Sequence, residues 1–320
     1  MSGKDLILGI DTSNYTTSAA VVSRDGEVIK SSRILLSVKK GERGLRQSEA
    51  VFQHVCNIPK VMDAVMPEAV RGRIAGVAVS DKPRPRNDSY MPVFKAGEAA
   101  ARTAADALGV PYMTFSHQEG HIAAIKEFTH YRDDDRILFY HLSGGTTELL
   151  KVTDYFSKDG MKIEITGGTK DISLGQLIDR TGVALGCSFP AGKELDDIVM
   201  RSAENGISPS KCLKPIPFDG MYFNLSGIES QTRRMIENEE VDRDALIMEM
   251  FEKMTGCLTA LTEKAIEKTD IHDVVFGGGV SSSRYIRKAI GKDVPGAVFG
   301  EWSADNAVGT ALLGRNKSWL

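Results

Sequence analysis

The chain is poor in the features that mark secreted, membrane-embedded or nucleic-acid-coating proteins. Its four cysteines (Cys56, Cys187, Cys212, Cys257) are scattered, with no C-x-x-C pair. They read as reduced thiols of a cytoplasmic protein and exclude a disulfide framework. No apolar stretch is long enough to span a bilayer. The first apolar run meets Gly9 and Asp11 early, so no signal peptide is expected. A net charge of -3 argues against a protein built mainly to coat nucleic acid, while leaving room for a local basic patch. There is no low-complexity tail. What remains is ordinary for a soluble globular enzyme, at 42% hydrophobic and 26% charged residues, and 320 residues suggest two domains.

Histidine is scarce as well. Two of only six histidines, His117 and His121, stand four residues apart. On a helix that spacing puts both imidazoles on one face, one turn apart, and makes half of a metal site. The alternative is a pair of surface histidines at a helix start. The zincin pattern H-E-x-x-H is not met, because Glu119 is two residues after the first histidine. Ser116 with Glu119 three residues later has the form of a capping box, which places both histidines at the start of a helix.

Along the chain, Leu6–Ile10 reads as a buried strand running into the polar turn Asp11-Thr12-Ser13-Asn14. Ser18–Val22 continues as a strand, Arg24-Asp25-Gly26-Glu27 as a hairpin turn, and Val28-Ile29 opens the next strand. Residues 47–66 have helical spacing, with Pro59 expected to kink or divide the helix. Residues 74–79 form a second buried-strand candidate, 96–108 an Ala-rich helix ending before Gly109, and 110–115 a strand. The charged segment Arg132-Asp133-Asp134-Asp135-Arg136 marks a boundary. It separates a first lobe, 1–130, from a second, 131–303, and the closing helix within 304–320 is expected to return to the first.

A slide of about 130 residues lays Ser13-Asn14-Tyr15-Thr16-Thr17 on Ser143-Gly144-Gly145-Thr146-Thr147, each flanked by apolar runs. Later, Val274-Val275-Phe276 runs into Gly277-Gly278-Gly279-Val280, and Ser281-Ser282-Ser283 opens a helix. Strand, glycines and helix N-terminus is a geometry that accepts phosphate, although many glycine turns merely redirect the chain. Two related hairpins and a Gly-rich adenosine-type loop describe an α/β fold. It is the two-lobed actin/hexokinase/heat-shock-chaperone ATPase-like fold, with duplicated lobes and an interlobe nucleotide cleft.

The ordered motifs are His117-x-x-x-His121, Ser143-Gly144-Gly145-Thr146, Asp179, Phe189-Pro190-Ala191-Gly192, Asn224-Leu225-Ser226-Gly227, Gly278-Gly279-Val280 and Asp305-Asn306-Ala307. In this order, over nearly the whole chain, they resemble the TsaD family, long labelled O-sialoglycoprotein endopeptidase. The resemblance implies transfer of a threonylcarbamoyl group from threonylcarbamoyl-adenylate to N6 of an adenosine in tRNA. It implies one divalent metal, iron or zinc, on His117, His121 and Asp305, with helix capping as the alternative role for Asp305. It implies an adenylate or ATP-type nucleotide at Ser143, Gly144, Gly145, Thr146, Asp179, Gly192, Gly278, Gly279 and Ser283. For Asp179 the alternative is an ion pair with Arg180 or Lys193. A second protein of the same fold is the implied partner, and homodimer and heterodimer both stay open.

Several positions depart from the family pattern. Asn14-Tyr15-Thr16-Thr17 replaces an acidic Cys-Asp-Glu-Thr turn, and Lys82-Pro83-Arg84-Pro85-Arg86 replaces a Gly-Pro-Gly-Leu loop. Thr146 stands where a histidine is usual and Ser283 where an asparagine is. These departures allow a carbamoyltransferase with another acceptor or a simpler carbamoyl donor. A sugar or acid kinase of the same superfamily would need a catalytic aspartate and no histidine pair. A non-catalytic nucleotide-binding partner would not need the metal ligands. A peptidase has no support from the residues, since Glu119 misses the base position. The basic loop 82–86 suits phosphate or RNA, or is simply a solvated loop.

Overall fold

The apolar run at the N-terminus forms β1 (Leu6–Ser13), and every residue from Leu6 to Thr12 is buried. The computed structural model describes residues 3–13, 15–37, 45–157, 159–239, 241–300 and 306–319. The chain makes two units, Met1–Arg132 with Phe156–Met161 and Glu301–Leu320, and Asp133–Tyr155 with Lys162–Gly300.

In the first unit β1 pairs antiparallel with β2 (Thr16–Ser23), which pairs antiparallel with β3 (Val28–Leu35). On its other side β1 pairs parallel with β4 (Ile74–Lys82), and β4 with β5 (Tyr112–Ser116), giving the order β3-β2-β1-β4-β5. The helices are α1 (Gln47–Val65), α2 (Glu68–Arg71), α3 (Phe94–Leu108) and α4 (His117–Lys126). Leu6, Leu8 and Ile10 share a core with Val61, Val65, Ala101 and Ala105 from α1 and α3. Each such fully buried large apolar side chain contributes roughly 1.5–3 kcal/mol.

Pro59 does not divide its helix: α1 runs unbroken from Gln47 to Val65. The buried side of α1 carries Ala50, His54, Asn57, Val61 and Val65, and Pro59 lies on the exposed side. Val55, whose carbonyl would otherwise bond to residue 59, is itself exposed, so water can satisfy the freed acceptor.

The second unit repeats the first. β6 (Ile137–Leu142) pairs antiparallel with β7 (Thr147–Thr153), and β7 with β8 (Lys162–Thr169). The helices that follow are α5 (Leu174–Ala184) and α6 (Gly192–Glu204). A small hairpin, β9 (Phe218–Asp219) and β10 (Tyr222–Phe223), extends the sheet beyond β8. After α7 (Ser226–Glu237) and α8 (Arg243–Thr269), β11 (Val274–Gly277) pairs parallel with β6. A 3-10 turn over Gly279–Ser282 and α9 (Arg284–Asp293) lead to β12 (Val298–Phe299), parallel to β11. The stretch β8-β7-β6-β11-β12 thus has the order and pairing senses of β3-β2-β1-β4-β5. The 130-residue slide is also the structural offset, because Thr12 pairs with Thr17 as Leu142 pairs with Thr147.

The last helix, α10 (Asn306–Trp319), packs on β1, β2, β4 and α4 in the first unit. Glycine permits the approach. A Cβ on Gly9 would strike the Ala307 carbonyl, and one on Gly309 the Gly120 carbonyl of α4. Successive strand residues face opposite ways, so Ile7, Gly9 and Asp11 of β1 share the α10 side. Among the described residues no helix is long and apolar enough to cross a membrane.

Candidate functional site

The histidine pair sits where the capping box puts it. The Ser116 hydroxyl accepts from the Glu119 amide at 3.2 Å, and the Glu119 carboxylate accepts from the Ser116 amide at 2.6 Å. α4 therefore begins at His117, and the i, i+4 spacing brings the rings together with centroids 4.4 Å apart. The two Nε2 atoms are 3.0 Å apart.

Behind His117 stands Asp11, which the sequence offered only as part of a turn. His117 Nδ1 is 2.9 Å from Asp11 Oδ1, and the carboxylate is buried. The same oxygen accepts from Asn306 Nδ2 at 2.8 Å and from the Ser80 hydroxyl, while Oδ2 accepts from the Ser13 amide at 3.2 Å. Burial would push this carboxyl up. The facing His117 ring, with the His117, Ser80 and Asn306 hydrogen bonds, outweighs it and holds Asp11 well below the usual carboxylate range. The Asp11 carboxylate faces Nδ1 of His117 while Nε2 points to His121, the arrangement in which a carboxylate supports a metal-binding histidine. The signal available in the sequence was a single carboxylate closing an apolar strand.

His54 of α1 is buried next to this group, with Nδ1 2.8 Å from the Thr17 hydroxyl and Nε2 without a partner among the described residues. Burial pulls its pKa down against the raising effect of Asp11 and of the Ser13 backbone.

Asp305 lies outside the described residues; α10 begins at the next position. Among the described residues no group of three or more His, Cys, Asp and Glu side chains is arranged to hold a metal ion. The structure thus brings together two of the three ligands the resemblance implies, plus the Asp11 support it did not name.

The other predicted positions gather in the second unit. A cavity of about 630 Å³ is lined by Gly144, Asp179, Gly192, Gly279 and Ser283, within the roughly 300–1,000 Å³ range of small-molecule sites. Lys193, Asp196, Asp197 and Arg284 also line it. Gly144 and Gly145 have open space where a Cβ would be, so the β6–β7 turn presents bare backbone. The Ser143 hydroxyl closes the turn, accepting from the Gly145 and Thr146 amides at 3.4 and 3.0 Å. The start of α5 is stitched to it: the Ser173 hydroxyl donates to the Gly144 carbonyl at 2.7 Å, and the Leu174 amide donates to the Thr147 hydroxyl at 2.9 Å. Gly278 has a φ of 94° and passes tight against the Leu142 carbonyl, which brings the 3-10 turn beside β6.

Asp179 is not ion-paired with Arg180 or Lys193; its Oδ1 accepts from the Ala191 amide at 2.8 Å and so fixes the loop into Gly192. Ser283 caps α9, accepting from the Ile286 amide at 3.2 Å, and donates to Asp196. Asp196 was missed from the sequence. It accepts from the Arg284 and Tyr285 amides, both at 3.1 Å, and from Arg284 Nε at 3.0 Å. Burial opposes its charge, but these donors together hold its carboxyl below the ordinary range.

Solved structures with the same arrangement define the class first. Component A of (R)-2-hydroxyglutaryl-CoA dehydratase from Acidaminococcus fermentans aligns over 98% of this chain and 99% of its own, with TM-score 0.54 and 13% identity. A ROK family protein from Streptococcus pneumoniae TIGR4, solved with sucrose, aligns over 97% of each chain with TM-score 0.52 and 12% identity. At such identity these likenesses establish the fold alone: the duplicated α/β ATPase-like fold of actin and hexokinase.

The sequence profile of TsaD, tRNA N6-adenosine threonylcarbamoyltransferase, matches residues 30–311. Proteins of that name from Lacticaseibacillus casei (strain BL23) and Streptococcus pneumoniae (strain Taiwan19F-14) are each 28% identical to this chain. The first covers 91% of this chain and 83% of its own length, the second 90% and 84%. The chain belongs to the TsaD family and is an acyl-transferring enzyme.

Proposed function

We propose that this enzyme carries a threonylcarbamoyl group from threonylcarbamoyl-adenylate to N6 of an adenosine in tRNA, with one iron or zinc ion as cofactor. The observation that carries the reading is the pair of Nε2 atoms 3.0 Å apart, one of them backed by a buried carboxylate. The donor set suits the ion, since neutral imidazoles favour zinc and iron, and Asp11 makes His117 a better donor. His117 and His121 would hold it, with Asp305 as the third ligand by family resemblance. When bound, the ion supplies Lewis acidity toward the carbonyl and phosphate oxygens of the donor.

The chain's own residues bind and orient. Gly144 and Gly279 leave room for the adenylate in the second unit's cavity, and Asp179 and Asp196 keep its walls in place. The donor is already activated, so no nucleophilic side chain is required. The N6–carbon bond forms, the carbon–oxygen bond to phosphate breaks, N6 gives up one proton to the leaving phosphate or to water, and adenosine monophosphate leaves. Positioning of amine against carbonyl is the main contribution asked of the protein.

The test pairs elemental analysis with mass spectrometry of unmodified tRNA incubated with threonylcarbamoyl-adenylate. The wild type is expected to hold about one metal ion per chain and to yield threonylcarbamoyl-adenosine. His117→Ala and His121→Ala are expected to lose both. Metal content indifferent to both histidines, or tRNA left unchanged by a metal-loaded wild type, rejects the reading.

A further inference from the structure

The loop Lys82–Arg86 lies directly beside the histidine pair and is not used by the reaction as derived so far. Its backbone fixes it there. The β4–β5 ladder shifts between Ser80 and Lys82, and Lys82 pairs with Ser116, the cap of the histidine helix. The Pro83 carbonyl accepts from the amide of Gln118, the residue after His117, at 3.0 Å. A strand irregularity of this kind next to a site re-aims the chain that follows.

The loop cannot recognise an anion the way a glycine loop does, through bare backbone amides. Pro83 and Pro85 have no N–H. The Arg84 amide donates to the Ser89 hydroxyl at 3.0 Å, and the Arg86 amide to the Arg84 carbonyl at 2.8 Å. The Ser89 amide returns to the Arg86 carbonyl at 3.2 Å, closing a tight turn. What the loop offers is three cations, Lys82, Arg84 and Arg86, in five residues stiffened by two prolines. Asp81 and Asp88 flank them. The Arg86–Asp88 pair is 3.1 Å apart with both side chains well exposed, a weak pairing that a phosphate can displace. Arginine presents a planar fork that matches phosphate oxygens, and a pre-stiffened loop loses little freedom on binding.

We propose that Lys82, Arg84 and Arg86 contact backbone phosphates of the RNA acceptor and hold it at the His117–His121 helix. This rests on RNA being the acceptor. Such contacts position the substrate without reading its sequence. They also make binding salt-dependent, by roughly 0.7–0.9 in the log–log salt slope for each phosphate neutralised.

The experiment measures binding of an unmodified tRNA transcript to the full-length protein across a salt series, with adenosine monophosphate binding as a separate arm. The proteins are wild type, Lys82→Ala, Arg84→Ala, Arg86→Ala, the triple variant, and Arg86→Lys as a charge-keeping control. Each alanine variant is expected to weaken tRNA binding several-fold and to lower the salt slope by about 0.7–0.9. Arg86→Lys should keep the slope, and mononucleotide binding should not change. Wild-type tRNA affinity and slope in the triple variant overturn the proposal while leaving the acceptor reading intact. So does a loss confined to the mononucleotide, which would assign the loop to the donor phosphate. A wild type that binds no tRNA rejects the acceptor reading and this proposal together.

Discussion

The duplicated hairpins β1–β2 and β6–β7 have one scaffold and two chemistries. β1–β2 and β6–β7 share pairing sense, register and a 130-residue offset. At position 11 the first copy places a buried aspartate that gathers His117, Ser80 and Asn306. At the matching position the second copy has a half-buried histidine, His141. The second turn instead keeps Gly144 and Gly145 bare beside a cavity, tied to the start of α5. A duplicated backbone thus carries an electrostatic anchor near the end of one copy's first strand and an open cradle in the other copy's turn. The strands need only hydrophobic burial and ladder hydrogen bonds, which leaves the turn residues at liberty to diverge.

The most severe way to break this contrast is Asp11→Ala. It leaves the donors of His117, Ser80 and Asn306 without their buried acceptor. We expect a loss of about 3–5 kcal/mol in urea unfolding, against about 1 kcal/mol for His141→Ala. Equal costs would mean that the two positions do the same work.

A smaller effect is expected at the second turn. A Cβ on Gly175 would lie 2.6 Å from both the Gly144 Cα and the Ser143 carbonyl oxygen. Gly175→Ala should therefore cost about 1–3 kcal/mol by overpacking and weaken mononucleotide binding in calorimetry. Gly144→Ala meets open space, so its stability should stay within about 0.5 kcal/mol while its methyl obstructs the cavity. Unimpaired nucleotide binding by both variants would remove the cradle from consideration.

The mildest test concerns Asp196 and pH. Its carboxyl is depressed in the folded chain. The unfolded value is about 3.9, so its stabilisation is complete above that pH and fades as pH falls through the lower folded value. Asp196→Asn should cost about 1 kcal/mol at pH 7, as for a lost helix cap. The gap to wild type should close below about pH 4. A gap of constant size from pH 7 to pH 3 would show that charge at Asp196 is irrelevant to the α9 cap.

Much of this was legible from local pattern. Strand β1 starts at Leu6, where its apolar run begins, Gly109 closes α3 with a left-handed φ of 60°, and Ser116 with Glu119 makes the capping box. Each depends on neighbours within a few residues. That Pro59 would leave α1 undivided was not legible, because its cost depends on which way the helix faces, and that is set by packing on the sheet. For Asp179, a nucleotide-site position by resemblance, the alternative of an ion pair with Arg180 or Lys193 rested on residues near in sequence or space, whereas its bond goes to the Ala191 amide, 12 residues on. Asp196 carries no local signal, since its partners at Ser283 and Arg284 are 87 and 88 residues away.

The order of residues alone settled the periodicities, the caps, the glycine turns and the duplication, since backbone sterics and hydrophobic spacing act over short range. Only folding decided that Asp11 would become the support of His117, 106 positions away, and the acceptor of Asn306, 295 positions away. A buried charge must find every one of its donors or be unaffordable, and those donors exist as a set only after β1, β4, α4 and α10 have packed together.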